Sequence, residues 1–326
     1  MRFFKNADYP FLEWRKRAYV LSAVVLLLGV GAMIYHAAIG RGWLNYGVDF
    51  TGGTIVQVNF NQPTSAEAVR SAAARGGYTD WEITRFGGTN EYVLRLPSFQ
   101  QEVGRSAGDR VTAALSTQFP KNSFTIARVE AVGPKAGNEL QGRALGAILL
   151  SFVATLIYLG ARFEWRFGLA AIIATGHDIL ITLGFLALTR GEISLGTVAA
   201  ILTVVGYSQH DTIIVFDRVR ENLKKPLGGR SFIQLLDLSI NETLPRTILT
   251  VGTVLATLLA LLLFGGPVIR EFVEVLTLGI TVGTFSSIFV ASPVLYEIEK
   301  RWPRHLKTAP QRPNTPATTP RVRSTV

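Results

Sequence analysis

The chain has 326 residues, 48% of them hydrophobic, with a net charge of +10 and no cysteine. The lack of cysteine excludes disulfides, thiolate nucleophiles and Cys-ligated metals. Six apolar runs of membrane-spanning length exclude a simple soluble domain, and the basic excess gathers on one set of loops, as topology requires, rather than forming a nucleic-acid footprint.

Residues 1–17 form a short segment carrying Arg2, Lys5, Arg15, Lys16 and Arg17. The apolar run at 18–39 follows it. A basic start before an apolar run also describes a signal peptide, but 22 residues is long for that, and Ala37-Ala38-Ile39-Gly40 is a poor cleavage site, so the run is expected to be a retained anchor. Further runs occupy residues 144–161, 167–188, 195–216, 247–264 and 275–296. Lys and Arg are frequent before the first run, between the second and third (Arg162, Arg166), from Arg218 to Arg246 and after Tyr296, whereas the short opposite loops hold Arg190 and Arg270. The positive-inside rule then places both termini in the cytoplasm.

Residues 40–143 make one large polar insert, predicted to lie on the external side. Val56, Val58 and Phe60 alternate with polar residues as in a half-buried strand. Residues 65–75 read as a helix with Ala66, Val69 and Ala73 on one side. Residues 81–86 and 91–96 read as a hairpin joined by Gly87-Gly88-Thr89-Asn90. A second helix carries Val103, Ala107, Val111, Ala114 and Leu115 on one face, and residues 124–129 close the series as a strand. The order β-α-β-β-α-β is the ferredoxin-like arrangement, a fold that by itself names no function. The expected fold is thus a polytopic α-helical membrane protein with six transmembrane helices and one external ferredoxin-like α+β domain between the first two. Residues 144–299 form its five-helix membrane domain. Within it, 217–245 reads as a cytoplasmic linker whose Phe232, Leu235, Leu236 and Ile240 fit an amphipathic helix lying on the membrane. Residues 300–326 form a basic tail, rich in proline beyond Lys307 and expected to be disordered.

The sequence has no Gly-x-x-x-x-Gly-Lys-Ser/Thr loop, no nucleophile elbow and no zinc-ligand spacing among His36, His177, His210 and His305. An enzyme is therefore not expected, and neither a cofactor nor a metal is implied. Work must come from a gradient or a partner. Asp211, within the fourth apolar run, is the strongest candidate for harvesting a gradient, because an ionisable group there is expensive and normally faces a partner or a wet path. On a helix, Tyr207 and Ser208 lie one turn from it. Arg246, at the cytoplasmic mouth of the fifth run, matches its depth; alone it also fits a snorkelling anchor. His177 and Asp178 near the centre of the third run suit either secondary proton transfer or a structural bond. Two further motifs are unusual. Gly47-Val-Asp49-Phe50-Thr51-Gly52-Gly53 stands where the chain enters the first strand, the paired glycines permitting a tight turn. Asp217-Arg218-Val-Arg220-Glu221-Asn222 continues the fourth run into the cytoplasm and is either a clamp on an inner-side loop or a solvated helix end.

Taken together, the Asp-Phe-Thr-Gly-Gly turn, the block from Gly206-Tyr-Ser-Gln-His-Asp to Arg218-Val-Arg-Glu-Asn222 and the segment Asn241-Glu-Thr-Leu-Pro-Arg-Thr247 resemble the SecF family, a branch of the resistance-nodulation-division superfamily. The resemblance implies a multi-pass protein of the bacterial plasma (inner) membrane. It also implies a heterodimer with SecD that uses the proton-motive force to promote export of unfolded polypeptide through SecYEG. Carried over residue by residue, the family's proton-pathway Asp falls on Asp211 and its essential Arg on Arg246. Competing expectations are an exporter of small molecules or lipids from the same superfamily, and a membrane scaffold with an idle Asp211.

Overall fold

The computed structural model of the chain describes residues 7–86, 89–96, 106–120, 123–162, 164–226, 229–266 and 269–303. Val103, Gly87, Gly88 and the proline-rich tail lie outside the described residues. The first spanning helix, α1 (Arg15–Ala38), starts slightly before the apolar run. The residues preceding it are more than a basic head. Phe11 and Leu12 are buried, the Leu12 N–H donates to Asp237, and Tyr9 exchanges two backbone hydrogen bonds with the Asn241 amide at 3.0 and 2.9 Å. That amide is a donor and an acceptor in one plane, which is what lets it pair with a single residue's backbone as a strand would.

The insert contains β1 (Asn45–Tyr46), α2 (Val48–Thr51), β2 (Gly53–Phe60), α3 (Ala66–Arg75), β3 (Glu82–Arg85), β4 (Glu91–Leu96), α4 (Ala107–Leu115) and β5 (Phe124–Val132). Its four-stranded antiparallel sheet has the order β3-β4-β2-β5, the ferredoxin-like arrangement expected from the alternation. Period two is kept strictly in β4, where Tyr92, Leu94 and Leu96 are buried and Glu91, Val93 and Arg95 face the other way. The buried face packs with Val56, Val58, Val69, Val111 and Leu115 into one core. Ser65 caps α3, and Ser106 with Asp109 forms a capping box on α4, so both helices start with their first N–H groups satisfied.

The remaining elements are α5 (Pro134–Arg162), α6 (Trp165–Thr189), β6 (Glu192–Ile193), α7 (Leu195–Leu223), α8 (Phe232–Phe264), α9 (Arg270–Ser286), a π-helical turn (Ser287–Ala291) and α10 (Ser292–Arg301). Counting α9 to α10 as one span, six helices among the described residues are long and apolar enough to cross a membrane. They are not equivalent. In α6, α7 and the sixth span, 56, 56 and 61% of the most apolar window is buried within the chain, against 6% in α5 and 17% in α8.

Two expectations need correction. The stretch 217–245 is not a linker: α7 runs on to Leu223 and α8 begins at Phe232, leaving only residues 224–231 between them. Phe232, Leu235, Leu236 and Ile240 do form an amphipathic helix, but it is the first third of α8, with Leu235, Leu236 and Ile240 buried against Phe11, Leu12 and Phe216 instead of lying on a membrane. The insert also ends earlier than residue 143. Helix α5 starts at Pro134, its polar first turns standing beyond the apolar run, with Gly137 against the backbone of Phe50 and Gly52.

Candidate functional site

Helix α9 approaches α7 through Gly279 and Gly283. A methyl group on Gly283 would stand 2.8 Å from the Ser208 Cβ, and one on Gly279 would overlap Val204. Small residues four apart are the usual device for such close approach between membrane helices. Gly29 of α1 and Gly184 of α6 meet the same way.

This packing brings α6, α7 and α9 together around two carboxylates, each 1% exposed. Asp178 is fully engaged. Ser208 Oγ donates to its Oδ2 at 2.5 Å, Ser286 Oγ donates to the same oxygen at 2.8 Å, and His177 Nδ1 lies 2.9 Å from Oδ1. Asp211, one turn along α7 from Ser208, is the opposite case. Its Oδ2 meets only the Thr284 hydroxyl, at 3.5 Å, and its Oδ1 is buried with no donor among the described residues. Thr284 has a single hydroxyl proton and a better acceptor, the Ile280 carbonyl oxygen at 2.9 Å. Asp211 is thus a buried carboxylate held by almost nothing, an arrangement rare in folded proteins. A π turn follows Ser286, with Ser287 Oγ donating to the Thr284 carbonyl, and such turns gather at functional sites.

The other predicted residues fall around this pair in distinct ways. Tyr207 and Ser208 share a face with Asp211 but bond elsewhere, Tyr207 to the Thr250 carbonyl at 3.5 Å and Ser208 to Asp178. Arg246 is exposed on α8 and makes no ion pair with Asp211, although its charge acts on that carboxylate. His177 is a partner of Asp178. Its Nε2 is buried without a partner among the described residues. Sequence reasoning missed Thr284 and Ser286. Hydroxyls recur at Thr277, Thr281 and Thr284, a stripe visible in the sequence, but nothing there says which helix the stripe meets.

The motif from Asp217 to Asn222 ties helices together. Arg218 bonds Glu242 at 2.6 Å and Glu221 at 2.5 Å, while Asn222 donates to Ser239 and to Glu242, tying the end of α7 to α8. Asp217 pairs with Arg162 at 3.6 Å, and Arg220 donates to the Arg162 carbonyl, which brings in the end of α5. At the other end, the glycine motif is a turn that grips the α6–α7 connection. Gly52 and Gly53 take φ of +74° and +130°, where a side chain would be strained. Thr51 Oγ1 donates to the Gly47 carbonyl, Phe50 is buried, and Asp49 Oδ2 accepts from the Leu195 N–H at 2.8 Å.

Residues 111–301 match the family model for the protein export membrane protein SecD/SecF, C-terminal, and residues 38–64 match the SecD/SecF GG motif. The chain is 47% identical over 309 residues to the protein translocase subunit SecF of Gemmatimonas aurantiaca, covering 93% of this chain and 91% of that one. Against protein translocase subunit SecF of Vibrio alginolyticus it is 41% identical over 288 residues, covering 88 and 89%. The crystal structure of SecDF, a translocon-associated membrane protein, from Thermus thermophilus matches with a TM-score of 0.79 at 35% identity. That match covers 92% of this chain and only 40% of the solved one. SecDF in its super-membrane-facing form matches with a TM-score of 0.64 at the same identity, over 91% of this chain and 39% of that one.

Proposed function

Because the chain belongs to the SecD/SecF family of protein export membrane proteins, we propose that it is the SecF half of a SecDF-type translocation factor in which Asp211 binds and releases the driving proton. The observation carrying this reading is the contrast between the two buried carboxylates. Asp178 is fixed by Ser208, Ser286 and His177, whereas Asp211 has one long contact and one orphaned oxygen. A charge in that position is costly, and a proton removes it. Each proton crossing the membrane releases about 2.3 kcal/mol per 100 mV, enough to bias a helix rearrangement.

Asp211 is the proton acceptor, and Arg246 supplies the nearby positive charge without contacting it in this conformation. Asp178 with its serines holds α6, α7 and α9 in register. Neutralising Asp211 changes how α7 sits against α9, and the movement reaches the inserted domain through the α6–α7 connection. No covalent chemistry is involved. The partner is SecD, which supplies the other half of the membrane domain, and the complex acts at SecYEG on a translocating unfolded polypeptide. The basic loops support a bacterial inner-membrane orientation with both termini in the cytoplasm. Relatives named as protein translocase subunits favour this over a small-molecule exporter.

The test is secretion of a reporter from cells whose only copy carries Asp211→Asn, with membrane abundance verified. Export is expected to fall to the level of cells lacking the protein while abundance stays normal. Wild-type export from that strain would remove Asp211 from the mechanism and leave a scaffold.

A further inference from the structure

Besides the packing of α5 on the glycine turn, the inserted domain is fastened to the bundle at the five-residue connection between α6 and α7. Gly47 N–H donates to the Ile193 carbonyl, β1 pairs in parallel with β6, Asn45 Nδ2 donates to the Arg190 carbonyl at 3.1 Å, and Asp49 receives the Leu195 N–H. In the middle of this seam Glu192 forms an ion pair with Arg95 of β4, while Arg95 also pairs with Glu82 of β3 at 3.1 Å. A Cβ on Gly47 would fall on the Glu192 carboxylate, so the glycine of the turn is the seat of that side chain. The two helices joined here are the ones that carry Asp178, Ser208 and Asp211.

We infer that Glu192 is a coupling residue whose carboxylate ties the α6–α7 connection to Arg95 of the inserted domain, so that movement at the buried carboxylates is carried into that domain and the tie itself responds to protons. The inference rests on the functional reading above and deepens it.

Carboxylates crowd the tie. Asp49, Glu82 and Glu271 surround Glu192 beside Arg95, and Glu130, Arg85, Arg128 and Arg190 line the same cleft of about 370 Å³. Burial, the largest influence, pushes the Glu192 carboxyl above its ordinary range; Arg95 opposes this, and Asp49 and Glu82 add to it. Linkage then fixes the sign. A carboxyl that holds its proton more tightly when the seam is closed stabilises the closed seam fully below the ordinary carboxylate range, and that contribution fades as pH rises through the raised value. A protonated Glu192 still accepts a hydrogen bond from Arg95, and the repulsion from three neighbouring carboxylates is gone. Acid therefore closes the seam and alkali loosens it.

The chain has no cysteine, so Thr125→Cys on β5 and Thr189→Cys at the end of α6, both exposed, give a clean spin-label pair across the seam. In the full chain reconstituted with a cysteine-free partner subunit, the inter-label distance distribution is expected to shift from a single short population toward a longer one as pH rises. Glu192→Gln is expected to hold the short population at every pH. Arg95→Glu is expected to give the long one, and the exchanged pair Arg95→Glu with Glu192→Arg to restore the short one. A wild-type distribution that ignores pH, a pH shift that survives in Glu192→Gln, or an exchanged pair that stays long would each overturn the inference. Because the readout needs no export, it succeeds or fails independently of Asp211.

Discussion

Asp178 and Asp211 lie in neighbouring helices at the same buried layer, equally hidden from solvent, yet the fold treats them oppositely. Two serines and a histidine close on Asp178 at hydrogen-bonding distance; Asp211 faces a threonine whose proton is already committed to a backbone carbonyl. Burial alone therefore does not mark a working carboxylate. What separates a structural group from a functional one here is how many donors the surrounding helices aim at it. The two glycines of α9 set that distribution, since they determine how far its hydroxyls reach toward α7.

The largest consequence should follow from emptying the satisfied site. Asp178→Ala strands Ser208, Ser286 and His177 in the interior, a loss of about 3 kcal/mol or more. Membrane abundance and the thermal unfolding midpoint of the purified protein should both fall; an unchanged midpoint would mean that the hydrogen-bonded cluster does not hold the helices. Ser286→Ala removes one of the three partners, at a cost of about 1.5 kcal/mol by the same midpoint. The smallest effect is expected at the other carboxylate. Thr284→Val deletes a 3.5 Å contact and should cost about 0.5 kcal/mol or less. Equal costs for Ser286→Ala and Thr284→Val would erase the contrast between the two sites.

Much of the architecture was legible from periodicity. The alternation of Val56, Val58 and Phe60 and the helical spacing of Val69 and Val111 sufficed for the inserted domain, because its strands and helices turn one apolar face to a shared core. The same logic misled at 217–245. That stretch read as a linker, with Arg218 and Glu221 either clamping a loop or solvated at a helix end, but Arg218 pairs with Glu221 and with Glu242 across α7 and α8, and α8 runs through Pro245. Charge counts cannot reveal such pairing. Nor could two-residue strands such as β1 and β6 be read, since they exist only because the GG turn and the α6–α7 connection meet in space.

At the candidate site Asp211 stood out in the sequence because a lone acid in an apolar run needs an explanation. The sequence set Asp178 with His177 second, as either secondary proton transfer or a structural bond, and gave no packing reason for that order. The packing reason comes from Ser208 of α7 and from Thr284 and Ser286 of α9. Arg246 was expected to pair with Asp211 from matching depth; its depth does bring its charge near, but its side chain stays on the exposed face of α8.

The most direct measurement is pH-difference infrared spectroscopy of the carboxyl stretch in the reconstituted complex, comparing wild type with Asp211→Asn and Asp178→Asn. A titrating protonated-carboxyl band is expected in wild type and in Asp178→Asn, and should vanish in Asp211→Asn. A band that survives in Asp211→Asn and disappears in Asp178→Asn would contradict the assignment and make the hydrogen-bonded carboxylate the one that carries the proton.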